Sequence, residues 1–309
     1  MPGEPRTPEG RLPSRRAVLT LTYAVGLATL AGCGVRLDLP QPAPAPPTRR
    51  KVPDEDLLVH VVGRLRRITE DAAALARSGA GGAVLQRVAT VAAGQLRVLR
   101  GRLTNGGVPT AVIEAASPPA PATRSPAALA AQLAQLPADH WPVLAGATPD
   151  TRSVLTSAAS AQLAGAVLLG RPLPMPAQAS PARAALVDLT APLRYGFEIV
   201  AAQSRGEARN RALRSLSSVA ALARELGPGS TSAPGWSLPF PVRTPEAAAR
   251  LAQHLCASAI ASAVLAAGPA PSGSALAEAA AWSARLQALA TGWGLPLTPF
   301  PGATTGAVS

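Results

Sequence analysis

The chain has 309 residues, of which 48% are hydrophobic, 3% aromatic and 15% charged, and its formal net charge is +12 at pH 7. Two cysteines are too few for a disulfide framework, and three histidines leave little material for metal or acid–base chemistry. A basic balance can indicate nucleic-acid binding. Here, however, the arginines are scattered and no aromatic-basic recognition motif occurs, so we expect no nucleic-acid partner.

The N-terminal segment has the layout of an export signal. Arg15 and Arg16 precede an apolar stretch, residues 17–30, and a Leu-Ala-Gly-Cys run ends at Cys33. A charged lead, an apolar stretch of about 7–15 residues and small residues before the cut predict a secretory signal, which is too short to span a membrane. The run at Cys33 resembles the lipoprotein signal family. The alternative is an ordinary membrane anchor with an unmodified Cys33.

The lipoprotein resemblance implies a definite location and modification. Residues 1–32 would be removed as a signal peptide, and Cys33 would carry fatty acyl chains such as palmitate and become the first mature residue. Several chains on one cysteine give a stable anchor. We therefore expect the cell membrane, through lipid on Cys33 at its extracytoplasmic face, to be one partner.

The arginine pair also suggests the route of export. Arg15 and Arg16 resemble a twin-arginine signal, in which Phe and Lys are usual where this chain has Val18 and Thr20. Residues 33–53 form a predicted Pro-rich tether, since repeated prolines favour an extended polyproline II conformation. The basic residues 49–51 that follow either attract anionic headgroups or are simply solvated.

Residues 54–171 are predicted to form an N-terminal helical domain. Apolar residues recur at spacings of three and four from Leu58 to Leu75 and again from Leu85 to Leu103. The glycine-rich residues 79–82 predict a turn between two antiparallel helices. A Pro-rich break over residues 117–126 precedes a short helical patch. Residues 153–170 contain no charge, and their many small and polar side chains predict a buried bundle helix rather than a membrane span.

Residues 181–302 are predicted to form a four-helix bundle. The first helix contains Pro192, which should kink it or mark its start. The second stops at Gly227, the third begins near Pro245 with Thr244 as its cap, and the last ends near Trp293. No segment alternates at a period of two, so the predicted fold class is all-α. Residues 303–309 are a predicted disordered tail.

Three segments of this bundle carry a second resemblance: residues 193–202 (Leu-Arg-Tyr-Gly-Phe-Glu-Ile-Val-Ala-Ala), 238–242 (Leu-Pro-Phe-Pro-Val) and 300–302 (Phe-Pro-Gly). Together they look like the ferritin-like domain of unknown function found in exported proteins of GC-rich bacteria. The resemblance covers roughly residues 181–302. It implies a ferritin-like four-helix bundle and no particular reaction.

A ferritin-type di-iron site requires Glu-x-x-His pairs on two helices and a further Glu on each of two others. No glutamate after Cys33 has a histidine three positions later, so the standard site is absent. A nonstandard site would form if Glu198 and His254 met inside the bundle. Otherwise each lies at a helix boundary or bonds an arginine. His60 is expected to be solvated and His140 to lie in a loop.

The sequence contains no other catalytic constellation. Gly-x-Ser-x-Gly, Walker and Cys-x-x-Cys motifs do not occur. Cys256 lies in an apolar helical setting, where a free cysteine behaves as a buried hydrophobe. Trp236, Trp282 and Trp293 are either core residues or the lining of a pocket.

These patterns predict a non-catalytic, lipid-anchored cell-envelope protein that acts as a binding or scaffold module. Its partner besides the membrane would be an unknown envelope protein or an apolar ligand held in a groove between helices, and no cofactor is expected. The alternative function is a ferritin-type metal-binding or redox protein with a nonstandard site.

Overall fold

The computed structural model describes residues 49–79, 82–115, 123, 125–138, 140–227, 235–269 and 271–303. All regular structure within these ranges is helical, which confirms the all-α fold class. The helices are α1 (Glu55–Arg77), α2 (Gly82–Asn105), α3 (Thr110–Ala115), α4 (Pro126–Ala138), α5 (Trp141–Ala145), α6 (Pro149–Leu168), α7 (Arg183–Gln203), α8 (Gly206–Leu226), α9 (Pro245–Ala263) and α10 (Gly273–Thr291), with a 3₁₀ turn at Leu265–Ala267. The signal peptide, most of the tether and residues 304–309 lie outside the described residues.

Helices α1 and α2 pack against each other along the two apolar stripes that the sequence shows. On α1 the stripe from Leu58 to Leu75 is buried, and on α2 the stripe from Leu85 to Leu103 is buried except for Leu96, which is partly exposed. Helix α4 packs on the far end of this pair and on α6. Apolar residues at helical spacing therefore place this packing correctly.

Helix α6 is the central helix of the body. It packs most extensively against α10 and also contacts α2, α4 and α5. Buried residues run from Val154 to Ala166 without interruption, so no side of this part is left for a charged group. Its lack of charge therefore reflects burial within protein, as the sequence predicted.

Helices α7 to α10 follow one another as four consecutive helices of similar length. Thr244 caps α9, since its hydroxyl oxygen accepts a hydrogen bond from the backbone N–H of Ala247 at 3.2 Å. Gly227 ends α8 with a φ of 96°, a conformation that favours glycine. Pro192 lies inside α7, which begins earlier, at Arg183, so Pro192 does not mark its start.

The four C-terminal helices do not close into a ring. Helix α7 packs against α8 and α9, and α9 packs against α10, but α8 and α10 do not pack closely on each other. The second large neighbour of α10 is α6, from the N-terminal half. The predicted domain boundary near residues 171–181 coincides with the link between α6 and α7. The packed core nevertheless continues across this link, and residues from Lys51 onward form one compact unit.

The segment after α10 returns to the N-terminal half and packs between α2 and α6. Gln95 donates a hydrogen bond to the Pro299 carbonyl at 2.8 Å, and Ser157 donates one to the Pro301 carbonyl at 2.6 Å. A Cβ atom on Gly94 would lie 2.7 Å from Cγ of Pro299, so glycine is needed for this approach.

Among the described residues, one helical stretch, Pro245–Ala267, is long and apolar enough to cross a membrane. Core helices of water-soluble domains share these properties, which makes the observation weak evidence for a span. Here α9 contributes Leu251, Ala252 and Cys256 to the core and packs against α7 and α10.

Candidate functional site

The two candidate metal ligands, Glu198 and His254, both lie on the surface. Glu198 in α7 forms an ion pair with Arg194 at 3.4 Å, and its side chain is 49% exposed. His254 in α9 is exposed, and its ring meets Phe240 edge-on with 6.2 Å between centroids. The structure therefore does not bring Glu198 and His254 together inside the bundle. Of the two alternatives for Glu198, the bond to an arginine is the one observed.

The other two histidines contact each other, which the sequence did not predict. His60 on α1 and His140 before α5 have ring centroids 4.8 Å apart. Burial and the neighbouring His140 and Arg64 lower the pKa of His60 below its ordinary value of 6.5. The adjoining cavity, lined in part by Leu57, is only about 30 Å³ in volume, room for about one water molecule. Among the described residues, no group of three or more His, Cys, Asp or Glu is placed to hold a metal ion.

The Cys256 thiol lies in the core and is not set up as a nucleophile. It is 0% exposed, and burial raises the pKa of the thiol to about 12. The reactive form of a cysteine is the thiolate, so this side chain stays protonated and serves as core packing. Trp282 and Trp293 are also buried, at 0% and 5% exposure, and belong to the main core.

A fully buried carboxylate, Glu278 on α10, has a structural role. It accepts hydrogen bonds from the backbone N–H and hydroxyl of Ser180 and from the guanidinium of Arg183. Both carboxylate oxygens therefore accept charge-assisted hydrogen bonds. Glu278 thus fixes the start of α7 against α10 and is not free to act as a base.

Buried glutamines join α2 to α6 and α6 to α10 through side-chain hydrogen bonds. Gln162 donates to the side-chain oxygen of Gln95 at 3.0 Å, and Gln95 donates to the backbone oxygens of Ala158 and Pro299. Gln287 donates to the Ser160 hydroxyl at 3.1 Å. Amide side chains do not ionise near neutral pH, so these hydrogen bonds align helices and supply no acid or base.

The strongest candidate for a binding site is a cleft between α8 and α10, with a volume of about 650 Å³. Small-molecule sites usually have volumes of about 300–1,000 Å³. The end of α6 forms part of its wall. We call it the α8–α10 cleft; it is lined by Val167, Leu168, Arg211, Arg214, Ser215, Ser217, Ser218, Val219, Ala221, Leu222, Arg285, Leu286, Ala288, Leu289 and Gly292.

The cleft exists because α8 and α10 do not pack closely on each other. Ser218 and Ala221 line it from α8, and Ala288 lines it from α10. Helix packing needs side chains that fill the space between the axes. These short side chains do not reach across the space between the separated helices, and the almost fully buried Val219 and Leu222 close its bottom with an apolar floor.

Two side-chain contacts join α8 to the α10 region along the cleft. The indole N–H of Trp293 donates to the Ser215 hydroxyl at 3.0 Å, and the Arg285 guanidinium donates to the Glu225 carboxylate at 2.7 Å. Ser215 and Glu225 are ten positions apart on α8. At 1.5 Å per residue the two bridges are about 15 Å apart along α8.

The rim of the cleft carries three arginines. Arg285 is balanced by Glu225, whose pKa is held below its ordinary value chiefly by the hydrogen bond from Arg285. The Arg211 guanidinium lies 5.5 Å from the centroid of the Trp293 ring, and this contact leaves its charge in place. Within the described residues neither Arg211 nor Arg214 forms an ion pair, so the site has a positive potential.

The chemistry of the lining residues allows binding but offers no catalytic step. Three serine hydroxyls line the cleft, but none of its lining residues, all of which the structure describes, is a histidine or carboxylate that would activate them. Sequence reasoning missed Arg211, Arg214 and Arg285. Arg211 and Arg214 are three positions apart on α8 and hence on one face, but no sequence pattern shows that this face borders α10.

Comparison with protein-family models, curated proteins and solved structures finds no match for the chain. Cys33, Arg15 and Arg16, the predicted lipidation and export residues, lie outside the described residues. The assignment of a function therefore depends on the sequence of the N-terminal segment and on the geometry of the helical body.

Proposed function

We propose that the chain is a lipid-anchored cell-envelope protein whose helical body is a non-catalytic binding module. The observation that carries the binding role is the α8–α10 cleft, which combines an apolar floor with an arginine rim in a volume of about 650 Å³. The signal-like segment that ends at Cys33 supports the location at the extracytoplasmic face of the membrane.

A ferritin-like bundle formed by α7 to α10 belongs to the same proposal. Four consecutive helices of 21, 21, 19 and 19 residues support it. The gap between α8 and α10 is a departure from a closed bundle, and it is this gap that creates the binding cleft. The surface positions of Glu198 and His254 give no support to a nonstandard metal site, so the metal-binding or redox function is not proposed.

The anchoring half of the proposal is tested on the full chain expressed with its own signal. Mass spectrometry should find a mature product that begins at an acylated Cys33. The variant Cys33→Ala should leave the membrane fraction, whereas Cys256→Ala, which also removes one thiol, should stay there. A mature product that retains residues before Cys33 and carries no acyl group would overturn the lipoprotein assignment.

The export route is tested separately. Replacing both Arg15 and Arg16 with lysine keeps the positive charge but removes the arginine pair. Twin-arginine export predicts that this variant accumulates inside the cell, as measured by fractionation. Unchanged secretion would show that the chain uses the general route, and the lipid-anchored location would remain.

A further inference from the structure

We propose that the α8–α10 cleft binds one anionic phospholipid, with the phosphate between Arg211 and Arg214 and an acyl chain along the apolar floor. This inference deepens the proposed binding function and rests on it. A chain attached at Cys33 is held at a surface that contains this ligand in high local amount. The charge, polarity and length of the cleft point to this ligand.

The charge distribution favours an anion. The lining residues include three arginines and no aspartate or glutamate. Among the described residues, the one carboxylate that neutralises an arginine of the cleft is Glu225, and its partner is Arg285. Arg211 and Arg214 lie three positions apart on one face of α8, close enough to contact one phosphate. Arginine is well suited to phosphate because its guanidinium donates two parallel hydrogen bonds.

The floor of the cleft distinguishes a lipid from a free anion. At the bottom of the cleft, Val219, Leu222 and Leu286 are only 1–2% exposed. The apolar surface open to a ligand is that of the partly exposed Leu168, Ala288 and Leu289. A hydrophilic anion would leave this apolar surface in contact with water. An acyl chain would cover it, and each methylene it buries should strengthen binding about fourfold.

The length and position of the cleft fit a chain that extends from the phosphate. Arg211 and Arg214 lie near the Trp293 end, and the lining of α8 continues to Leu222, about 12 Å along the helix from Arg214 in the direction of the Arg285–Glu225 pair. The phosphate would therefore sit at one end and the acyl chain would run toward the other. The Arg285–Glu225 bridge would limit how far the chain extends.

Native mass spectrometry of the detergent-solubilised full chain tests this proposal. The protein is mixed with equimolar phosphatidylglycerol and phosphatidylcholine of identical acyl chains, and the bound amounts are compared. One phosphatidylglycerol should bind with at least about tenfold preference, because both lipids carry the phosphate but the choline cation of phosphatidylcholine would face the arginine rim, where like charges repel. Equal binding of the two lipids would overturn the proposal. So would displacement of phosphatidylglycerol by an equal concentration of inorganic phosphate.

A matched pair of variants locates the site. Arg214→Glu should lower the affinity for phosphatidylglycerol at least about tenfold, whereas Arg209→Glu should change it less than about twofold. Arg209 lies on the same helix, is exposed and does not line the cleft. Equal losses in both variants would show that diffuse surface charge attracts the lipid, which would overturn the site.

Filling the cleft tests the role of the apolar floor. Ala288→Phe should reduce binding of both lipids at least about tenfold. Because residue 288 is partly buried, Ser218→Phe at the exposed rim provides a second variant, with circular dichroism to confirm that each is folded. Undiminished binding in a folded variant would overturn the proposal.

The lipid proposal and the anchor proposal can fail separately. If Cys33 is acylated but the protein binds both lipids equally, the lipid site is refuted and the anchor stands. If the protein selects phosphatidylglycerol but Cys33 carries no acyl group, the anchor is refuted and the lipid site stands.

Discussion

The indole N–H of Trp293 donates a hydrogen bond to the hydroxyl oxygen of Ser215 at 3.0 Å, and this contact joins the end of α10 to α8. The same indole packs against Phe197 from α7, with 6.1 Å between ring centroids, and under the guanidinium of Arg211. Within the part of the chain that the structure describes, α8 packs extensively only on α7. The Trp293 contact is therefore one of two described side-chain bridges that fix the distance between α8 and α10.

Ser215→Ala should therefore destabilise the fold by about 1–3 kcal/mol, because the buried indole N–H loses its acceptor. Urea unfolding measures the change in the free energy of unfolding. Ser217→Ala, an exposed position on the same helix, should stay within about 0.5 kcal/mol of the parent. If the two variants have equal stability, the Trp293–Ser215 bond does not hold α8 in place.

The helix boundaries are the part of this fold that the sequence predicts best, because local chemistry determines them. Thr244 with Pro245 starts α9, and Gly227 ends α8, as predicted. The short helices α3 and α5 were missed because five or six residues are too few to show a repeated apolar period. Periodicity also shows that a helix has an apolar face without showing which helix covers it. For this reason the packing of α6 on α10 was not predicted.

The candidate site was predicted less well than the fold. Of the two alternatives, contact between Glu198 and His254 inside the bundle does not occur. Glu198 lies four residues from Arg194 and pairs with it at the surface, which avoids the free-energy cost of burying a carboxylate. The α8–α10 cleft depends on two helices being held apart. Such a distance is a property of the tertiary structure, and no local pattern around Arg214 or Ala288 encodes it.

The Glu278–Arg183 pair supports a second prediction. Glu278→Met should destabilise the protein by about 3–5 kcal/mol, because the Arg183 guanidinium loses its carboxylate in a mostly buried position. Adding Arg183→Met to this variant should restore much of the loss, since two apolar side chains replace the pair. Thermal and urea unfolding of the two single variants and the double variant measure the coupling. Additive losses would show that the two residues act independently.

The close approach of α2 to the C-terminal segment supports a third prediction. Gly94→Ala should destabilise the fold by about 1–3 kcal/mol, because the new Cβ would lie 2.7 Å from the rigid ring of Pro299. Gly101→Ala on the same helix is the matched control, as a Cβ there meets nothing within 4 Å. It should be neutral or stabilise the helix by up to about 1 kcal/mol. Stabilisation by both substitutions would contradict the close packing at Pro299.

Acid should weaken the second bridge of the α8–α10 cleft. The hydrogen bond from Arg285 is the largest cause that holds the pKa of Glu225 below its ordinary value of 4.5, although partial burial opposes this. A hydrogen bond from the Met175 backbone N–H and the nearby positive charges of Arg285 and Arg224 lower the pKa further. Such a carboxylate stabilises the folded state above pH 4.5 and loses this contribution as the pH falls through its lowered pKa.

As the pH falls from 5 through the lowered pKa of Glu225, the melting temperature of the parent should therefore decrease more steeply than that of Glu225→Gln. The variant lacks the titrating group, so the two curves should converge at low pH. Arg285→Gln removes the partner and should flatten the curve in the same way. Parallel curves for all three proteins would show that this bridge does not contribute to acid stability.

The bond between Gln95 and Pro299 joins residues 204 positions apart in the chain. At a synthesis rate of about 5–20 residues per second, helix α2 waits about 10–40 s for this partner to leave the ribosome. During that interval the groove beside Gly94 stays uncovered, although Ala158 and Gln162, the other partners of Gln95, are synthesised much earlier. The contact between α2 and the C-terminal segment is thus among the last to form on the nascent chain, and a transport route that demands a folded substrate would have to wait for it.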